Sequence, residues 1–561
     1  MSTISNDQLR IIKRAVSTIA KKYNVTGICL YGSRVAGYSR ENSDFDIIMV
    51  LQDYPYAVKY IYTTEEDMKI SALVVDLARF EKDAASSFLG EFVIGRLLHI
   101  YEPIENKQLF EQLEVVYKKR VILDEIYNIV KSANVLSTQI IFSLEYIMFS
   151  KIKYRSILYP NAAYSYYQTY TGKNSRYNIE FALKGYQKAL TEILTDDREL
   201  LITDPSGTAI QISERRVDVQ RNRKIASLKL TKKLQEFSSY FIHAYAGRHT
   251  LRHVVKEAES KISRHKANRI TLPDFILNPK YLYWKLPEGS LIFDDKYWLD
   301  KIARLNGFSE YIISKKHLLG TGNDATLLCI IQDSNNQNVT KSIVLKDMVK
   351  PARVKWSRRL HTLSSTIDRS RADPLFRLGN EYKALRLVRS IGLHTPIIQA
   401  IVLDKMILVT QFIEGNLISD ILKQSLEKNN NASYVFGWIN VAGQHFAKIH
   451  AYKCTLGKIK PSNLIVCRNR LYFTGLDEFG FNSGDPLHDI IYFISYTLEK
   501  TLPSTAVTKQ IIQEFFEGYS KEAPGSIKKV VRAGHYPGRL YTEFDSSIIE
   551  TIKEQIFRFV N

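Results

Sequence analysis

Asp44 and Asp46 flank Phe45, and an apolar run from Ile47 to Val50 follows them. On a strand, side chains at i and i+2 point to the same side, so the two carboxylates project together with Phe45 opposite. Two carboxylates on one face repel each other strongly unless a cation sits between them. Hard, oxygen-preferring Mg²⁺ (or Mn²⁺) is the natural occupant, because it binds through one or two carboxylates plus the phosphates of a substrate. Upstream, the apolar run Ile28-Cys29-Leu30-Tyr31 reads as a buried strand, and Gly32-Ser33 breaks it. The glycine lets backbone N–H groups approach phosphate, and the Ser33 hydroxyl adds a donor. A Gly-Ser turn followed by two surface aspartates is the alternative, and the apolar residues on both sides argue against it.

The stretch Ile28 to Val50, ICLYGSRVAGYSRENSDFDIIMV, resembles the nucleotidyltransferase superfamily that includes DNA polymerase β, the CCA-adding enzymes and the minimal nucleotidyltransferases. Its Gly-Ser-Arg opening and Ser-Asp-Phe-Asp ending are most similar to the minimal group. The resemblance implies that Asp44 and Asp46 hold a metal that grips the triphosphate of an NTP, ATP favoured. Gly32 and Ser33 would bind the triphosphate, with Arg34 a candidate phosphate contact. The superfamily usually has a third carboxylate on a nearby strand, and Asp76, near the end of Ser71 to Leu77 (SALVVDL), is the candidate. It would share the metals and help activate the acceptor hydroxyl, which attacks the α-phosphorus in line while pyrophosphate leaves. An aspartate there is costly unless paired or metal-bound, and a strand-end aspartate capping a turn is the other reading.

The elements that must position these residues are legible around them. A helix over about 6–23 leads into the strand before Gly32. After Asp76, AASSFLGEFVIGRLLHIYEP reads as a packing helix punctuated by the solvated charges Glu91 and Arg96. The catalytic-type domain so defined covers 1–105.

The chain has 561 residues, which suggests three or four domains. Its four cysteines, Cys29, Cys329, Cys454 and Cys467, form no C-x-x-C pair and fit a reducing cytoplasm. No 18-residue apolar run exists, so no membrane span is expected. The net charge of +20 points to an anionic macromolecule, most plausibly nucleic acid. Half of that excess lies in residues 211–270, with 15 Lys and Arg against 5 Asp and Glu. Arg221, Arg223, Lys224, Lys232, Lys233, Arg264 and Lys266 are the candidate RNA contacts within a helical and basic middle region, 106–300. Tyrosines flanking Lys151, Lys153 and Arg155 fit either base stacking or helix packing.

From residue 301 onward the chain resembles a protein kinase whose catalytic residues are replaced. LGTGNDATLL places Gly320 and Gly322 in a glycine-rich loop, Lys346 takes the position of the phosphate-binding lysine, and Glu381 that of its ion-pair partner. His450 and then Leu456 to Asn463, LGKIKPSN, resemble the catalytic loop of the RIO group and of the kinase of the KEOPS tRNA-modification complex. Lys458 stands where that family has its catalytic Asp, and Gly475 where it has the metal-binding Asp, so only Asn463 of the magnesium-handling set remains. A lysine ammonium cannot accept the hydroxyl proton. The resemblance therefore implies a pseudokinase, with one lobe over 301–415 and a second lobe and helical tail over 416–561.

Together these readings give an α+β multidomain chain: a nucleotidyltransferase domain with a mixed sheet, a helical and basic middle, and a two-lobed kinase-like half. A minimal-type nucleotidyltransferase joined to a RIO-like half resembles a fusion found in archaea. The implied activity is nucleotide transfer from an NTP to RNA, tRNA favoured. Transfer of a nucleotide to a protein hydroxyl, and a non-enzymatic RNA- or ribosome-binding factor, are the rival readings; a live kinase is a fourth.

Overall fold

The computed structural model describes residues 4–204, 209–214, 272–293, 296–319, 324–336, 338–351, 373–427, 432–499, 505–524, 530 and 546–560. Two compact units divide the chain: Met1–Ser132 with Ile140–Lys285, and Ala133–Gln139 with Leu286–Asn561. Both mix helices with sheets. Arg221, Arg223, Lys224, Lys232, Lys233, Arg264, Lys266, Gly320 and Gly322 lie outside the described residues. Among the described residues, no helix is long and apolar enough to cross a membrane.

The first unit opens with helix α1 (Asn6–Ala20), followed in chain order by the one-turn helix α2 (Ser33–Ala36). Ser5 caps α1: its hydroxyl accepts from Gln8 N at 3.2 Å while the Gln8 side chain accepts from Ser5 N at 2.9 Å, a capping box that satisfies two N–H groups at once. The buried face of α1, Ile11, Ile12, Ala15, Val16 and Ala20, covers a five-stranded sheet. Its strands are β1 (Val25–Tyr31), β2 (Phe45–Leu51), β3 (Val58–Glu65), β4 (Met68–Asp76) and β5 (Glu102–Glu105), in the order β3-β4-β2-β1-β5. β2 and β4 run parallel and the other pairs antiparallel, so the sheet is mixed. Side-chain alternation sends Ile28, Leu30, Phe45, Ile47, Met49, Ile70, Ala72 and Val74 into the core under α1. The opposite face carries a row of directly paired residues, Tyr31, Asp46, Ser71 and Tyr62.

The stretch after Asp76 departs from the helix read in the sequence. Helix α3 (Leu77–Ser86) stops at Ser87, which takes the left-handed conformation, and Ile94–Leu98 forms a separate 3-10 turn. The stop is chemical. The buried Asp83 carboxylate accepts from the backbone N–H groups of Leu89 (2.8 Å), Glu91 (3.0 Å) and Ile94 (3.1 Å), an alternative to continuing the helix. Burial lifts its pKa to about 6.

Nor is Glu91 solvated. It is the ionic centre of the first two of the helices that follow, which are α4 (Lys107–Ala133), α5 (Leu144–Leu158), α6 (Ala163–Thr171) and α7 (Ser175–Asp196). Its Oε1 lies 2.9 Å from Arg120 Nη1 and 2.8 Å from Lys151 Nζ, and Oε2 accepts from the Tyr117 hydroxyl at 2.9 Å with Arg155 Nη1 at 3.6 Å. Burial opposes ionisation, but Lys151, Arg120 and Arg155 hold the carboxyl well below its ordinary range. Lys151 and Arg155 are thus engaged in the interior, and the neighbouring Tyr159, Tyr166 and Tyr170 are buried. For these residues, packing is the reading the structure selects over RNA contact.

The first unit also holds a small sheet of β6 (Ile141–Phe142), β7 (Leu201–Thr203) and β8 (Ile210–Ile212). The second unit centres on a six-stranded sheet of β9 (Ser290–Ile292), β10 (Tyr311–Leu318), β11 (Asp324–Asp333), β12 (Thr340–Pro351), β13 (Ile398–Val402) and β14 (Ile407–Gln411). Their order is β10-β11-β12-β14-β13-β9. The helix Pro374–Ser390, capped by Asp373, packs on the segment 133–139, where Gly379 meets the backbone of Leu136. A second region is built on the helices Ala432–Ala451 and Thr505–Glu522. They approach closely because Gly443 faces Phe515 O and Gly518 faces Asn440 O, with no room for a Cβ at either.

Candidate active site

Gly32 follows directly on Tyr31, the cross-strand partner of Asp46, so the turn and the aspartate meet at the end of one strand pair. Gly32 holds φ +82°, and a Cβ built there would lie 2.4 Å from Asp46 Oδ2. Only glycine fits both the dihedral and the space. Ser33 begins the short turn Ser33–Ala36. The buried Asn178 of α7 pins that turn from behind, its Nδ2 donating to Ala36 O at 3.0 Å and Thr169 O at 2.9 Å. Asp44 and Asp46 are both partly exposed. A carboxylate with backbone drawn close to it, and a second carboxylate two residues before it, form a donor set that fits a hard divalent cation.

Arg34 is placed differently from a free phosphate contact. Its guanidinium carbon lies 3.7 Å from the centre of the Phe45 ring, and Nη2 donates to the carbonyls of Ser43 and Glu41. Burial lowers its pKa against the pull of Asp44 and Asp46. Through Nη2, Arg34 ties down the loop just before Asp44.

Asp76 does not join the pair. It is partnered with Leu51, five residues along β4 from the Asp46–Ser71 pair, about 16 Å at 3.3 Å per residue. Five is odd, so its side chain also emerges on the opposite face of the sheet. There it caps α3: Oδ1 accepts from Arg79 N at 3.2 Å and Oδ2 from Tyr54 N at 3.1 Å. Among the described residues, no group of three or more His, Cys, Asp or Glu comes together to hold a metal.

Polar residues from several elements of this unit stand beside and beyond Asp46. Ser71 is its neighbour on β4. Tyr38, its pKa raised mainly by burial and also by Asp46, bonds to Ser165 and Thr169 of α6. Arg96 lies over the Tyr31 ring and donates to the Tyr60 hydroxyl at 3.2 Å. His99 shares a 2.6 Å hydrogen bond with the Tyr170 hydroxyl, and burial, with Arg155 and Arg96 nearby, pushes its pKa well down, so the imidazole is neutral. No motif links these residues, because they come from separate elements. A recess of about 330 Å³ lined by Lys13, Tyr23 and Glu105 lies elsewhere, beside α1.

In the second unit, Lys346 Nζ lies 2.6 Å from Glu381 Oε2 and 3.2 Å from Asp477 Oδ1. Arg377 also grips Asp477, Nε to Oδ2 at 2.8 Å, and Lys346 and Arg377 outweigh burial to hold that carboxyl well below its ordinary range. Asn463 faces Gly475, whose Cβ would sit 2.4 Å from Asn463 Nδ2. Lys458 lies 5.3 Å from the Tyr492 ring centre. His450 bridges Asp489 Oδ2 and the Tyr519 hydroxyl, each at 2.9 Å, while Asp489 accepts from Leu456 N and Gly457 N and so anchors the loop that carries Lys458.

Residues 14–104 match the family described as "Polymerase beta, Nucleotidyltransferase". A 207-residue stretch is 23% identical to the "Probable bifunctional tRNA threonylcarbamoyladenosine biosynthesis protein" of Methanobrevibacter smithii, and covers 36% of this chain. The matched stretch spans about a third of that relative, 35% of its length. Among solved structures, "WaaP in complex with acyl carrier protein" aligns with 48% of this chain and 98% of its own, at 8% identity and a TM-score of 0.25. With its Gly-Ser turn held against an Asp-x-Asp pair on a mixed sheet, the segment 14–104 is a nucleotidyltransferase domain of the polymerase β family.

Proposed function

We propose that this protein transfers a nucleotide from an NTP, ATP favoured, to an RNA acceptor of tRNA-like kind. The observation that carries the reading is the seating of the Asp46 carboxylate against Gly32, with Arg34 in the electrostatic field of both Asp44 and Asp46. Asp44 and Asp46 would hold Mg²⁺ or Mn²⁺, which supplies charge neutralisation for the triphosphate and the leaving pyrophosphate. The Gly32–Ser33 turn binds phosphate oxygens through its N–H and hydroxyl groups, and Arg34 keeps the Asp44 loop in place. The acceptor hydroxyl loses its proton to water and bonds to the α-phosphorus as the bond to the β-phosphate oxygen breaks. An RNA acceptor is supported by the charge of residues 211–270, and the tRNA kind by the printed name of the Methanobrevibacter smithii relative.

The second half, in this reading, is a kinase-like fold without phosphotransfer. The Lys346–Glu381 pair supports the likeness, and Lys458 and Gly475 in place of the two essential aspartates support the inactivity.

Purified protein incubated with each α-³²P-labelled NTP, Mg²⁺ and total cellular RNA tests the proposal, with an Asp44→Ala/Asp46→Ala double variant alongside. Label in an RNA band with the wild type alone is expected. Label in protein alone would transfer the assignment to protein nucleotidylation. No label, with RNA still bound, would sink the transferase reading.

A further inference from the structure

Tyr31, Asp46, Ser71 and Tyr62 are successive neighbours across β1, β2, β4 and β3. The residue beside Asp46 on the parallel strand is therefore Ser71, which brings one hydroxyl and no charge, and Asp76 is out of reach. Arg96 lies over the same face of the sheet, reaching from Tyr31 at the end of this row to Tyr60, two residues along β3 from Tyr62. Its guanidinium carbon lies 5.4 Å from the Tyr31 ring centre, and its Nη2 donates to Tyr60. Tyr31 stands on one side of the β2–β4 pair and Tyr60 on the other, so a group that touches both lies over the two strands bearing Asp46 and Ser71. Tyr31 is in the electrostatic field of both Asp46 and Arg96. Arg96 Nε is buried without a hydrogen-bond partner among the described residues, and Arg34 Nε is in the same state.

The charges around the site are consistent with this. Asp44 and Asp46 supply two negative charges, and Arg34 and Arg96 bring two positive ones to the same neighbourhood. Among the described residues no third carboxylate joins Asp44 and Asp46, so a second divalent cation would find none of its own and would meet Arg96 instead. Arginine suits the substitution: it stays protonated, and its planar fork matches phosphate oxygens.

We propose that this site works with a single divalent cation, and that Arg96 supplies the second positive charge by direct contact with a phosphate oxygen of the bound nucleotide. The proposal rests on the nucleotidyltransferase reading above. The test titrates the full-length protein with Mn²⁺ in the presence of the α,β-methylene analogues of the four NTPs in turn. Free Mn²⁺ is followed by electron paramagnetic resonance and nucleotide affinity by calorimetry. One Mn²⁺ per chain is expected. Arg96→Gln keeps that stoichiometry but weakens the nucleotide by about 10–100-fold, and Arg96→Lys recovers part of the loss because it keeps the charge without the fork. Since Arg96 is half-buried, Tyr60→Phe serves as a second variant: it removes only the hydroxyl that holds Nη2, for a loss of about 2–10-fold. Two Mn²⁺ per chain, or wild-type nucleotide affinity in a folded Arg96→Gln protein, overturns the proposal and leaves the transferase reading standing. Wild-type protein that binds neither Mn²⁺ nor any analogue overturns both.

Discussion

Gly32 and Asp46 are in such close contact that a single added carbon on the glycine would fall 2.4 Å from the aspartate's Oδ2. The contact joins the end of β1 to the start of β2. It also explains why the turn needs glycine twice over, for its φ of +82° and for its missing side chain.

Gly32→Ala should therefore impair transfer more than stability. Strain at a left-handed position costs about 1–2 kcal/mol, whereas displacing Asp46 by even about 1 Å costs on the order of 10²-fold in rate. Labelling rates set beside thermal melts would separate the two effects. A variant with full activity would show that Asp46 does not need this seat.

Asp46→Asn should abolish transfer, and Asp76→Ala should not. The Asp76 carboxylate bonds Tyr54 N and Arg79 N, and loss of a helix cap costs about 0.5–2 kcal/mol. The expected outcome is a lower melting temperature with a labelling rate within a few-fold of wild type. A folded Asp76→Ala protein with no activity would restore Asp76 to the catalytic set.

Glu91→Gln leaves Arg120, Lys151 and Arg155 buried without their counter-charge, at a cost of about 3–5 kcal/mol. The pH dependence has a definite sign. The folded pKa of Glu91 lies below its ordinary value of 4.5, so its contribution is present above that pH and is lost as the pH falls below it. Chemical denaturation of the wild type should show this loss on the acid side, and the variant should lack the corresponding slope.

Lys346→Ala should destabilise the second unit and spare nucleotide transfer. It strands the Glu381 carboxylate, only 4% exposed, and removes one of the two cations on Asp477, at about 3–5 kcal/mol. Calorimetry of the full-length protein would show one shifted transition. A transfer rate that fell in parallel while the first unit remained folded would reveal a role for the lysine in the reaction.

What the sequence determined by itself is local. The alternation that puts Asp44 and Asp46 on one side, the break at Gly32-Ser33 and the capping of α1 all depend on residues within a few positions of one another. The nucleotidyltransferase resemblance rests on that local pattern, and residues 14–104 match the family. The register between strands is not local. Whether Asp76 reaches Asp46 depends on β2 and β4 pairing in parallel with Asp46 opposite Ser71, and that register puts Asp76 five residues away on the other face. Arg96 and Glu91 read as solvated charges because their partners are distant in sequence: Tyr31 and Tyr60 for the one, Arg120, Lys151 and Arg155 for the other. A charge's role is decided by what closes over it, and only the tertiary structure brought Arg96 to the sheet face that carries Asp46.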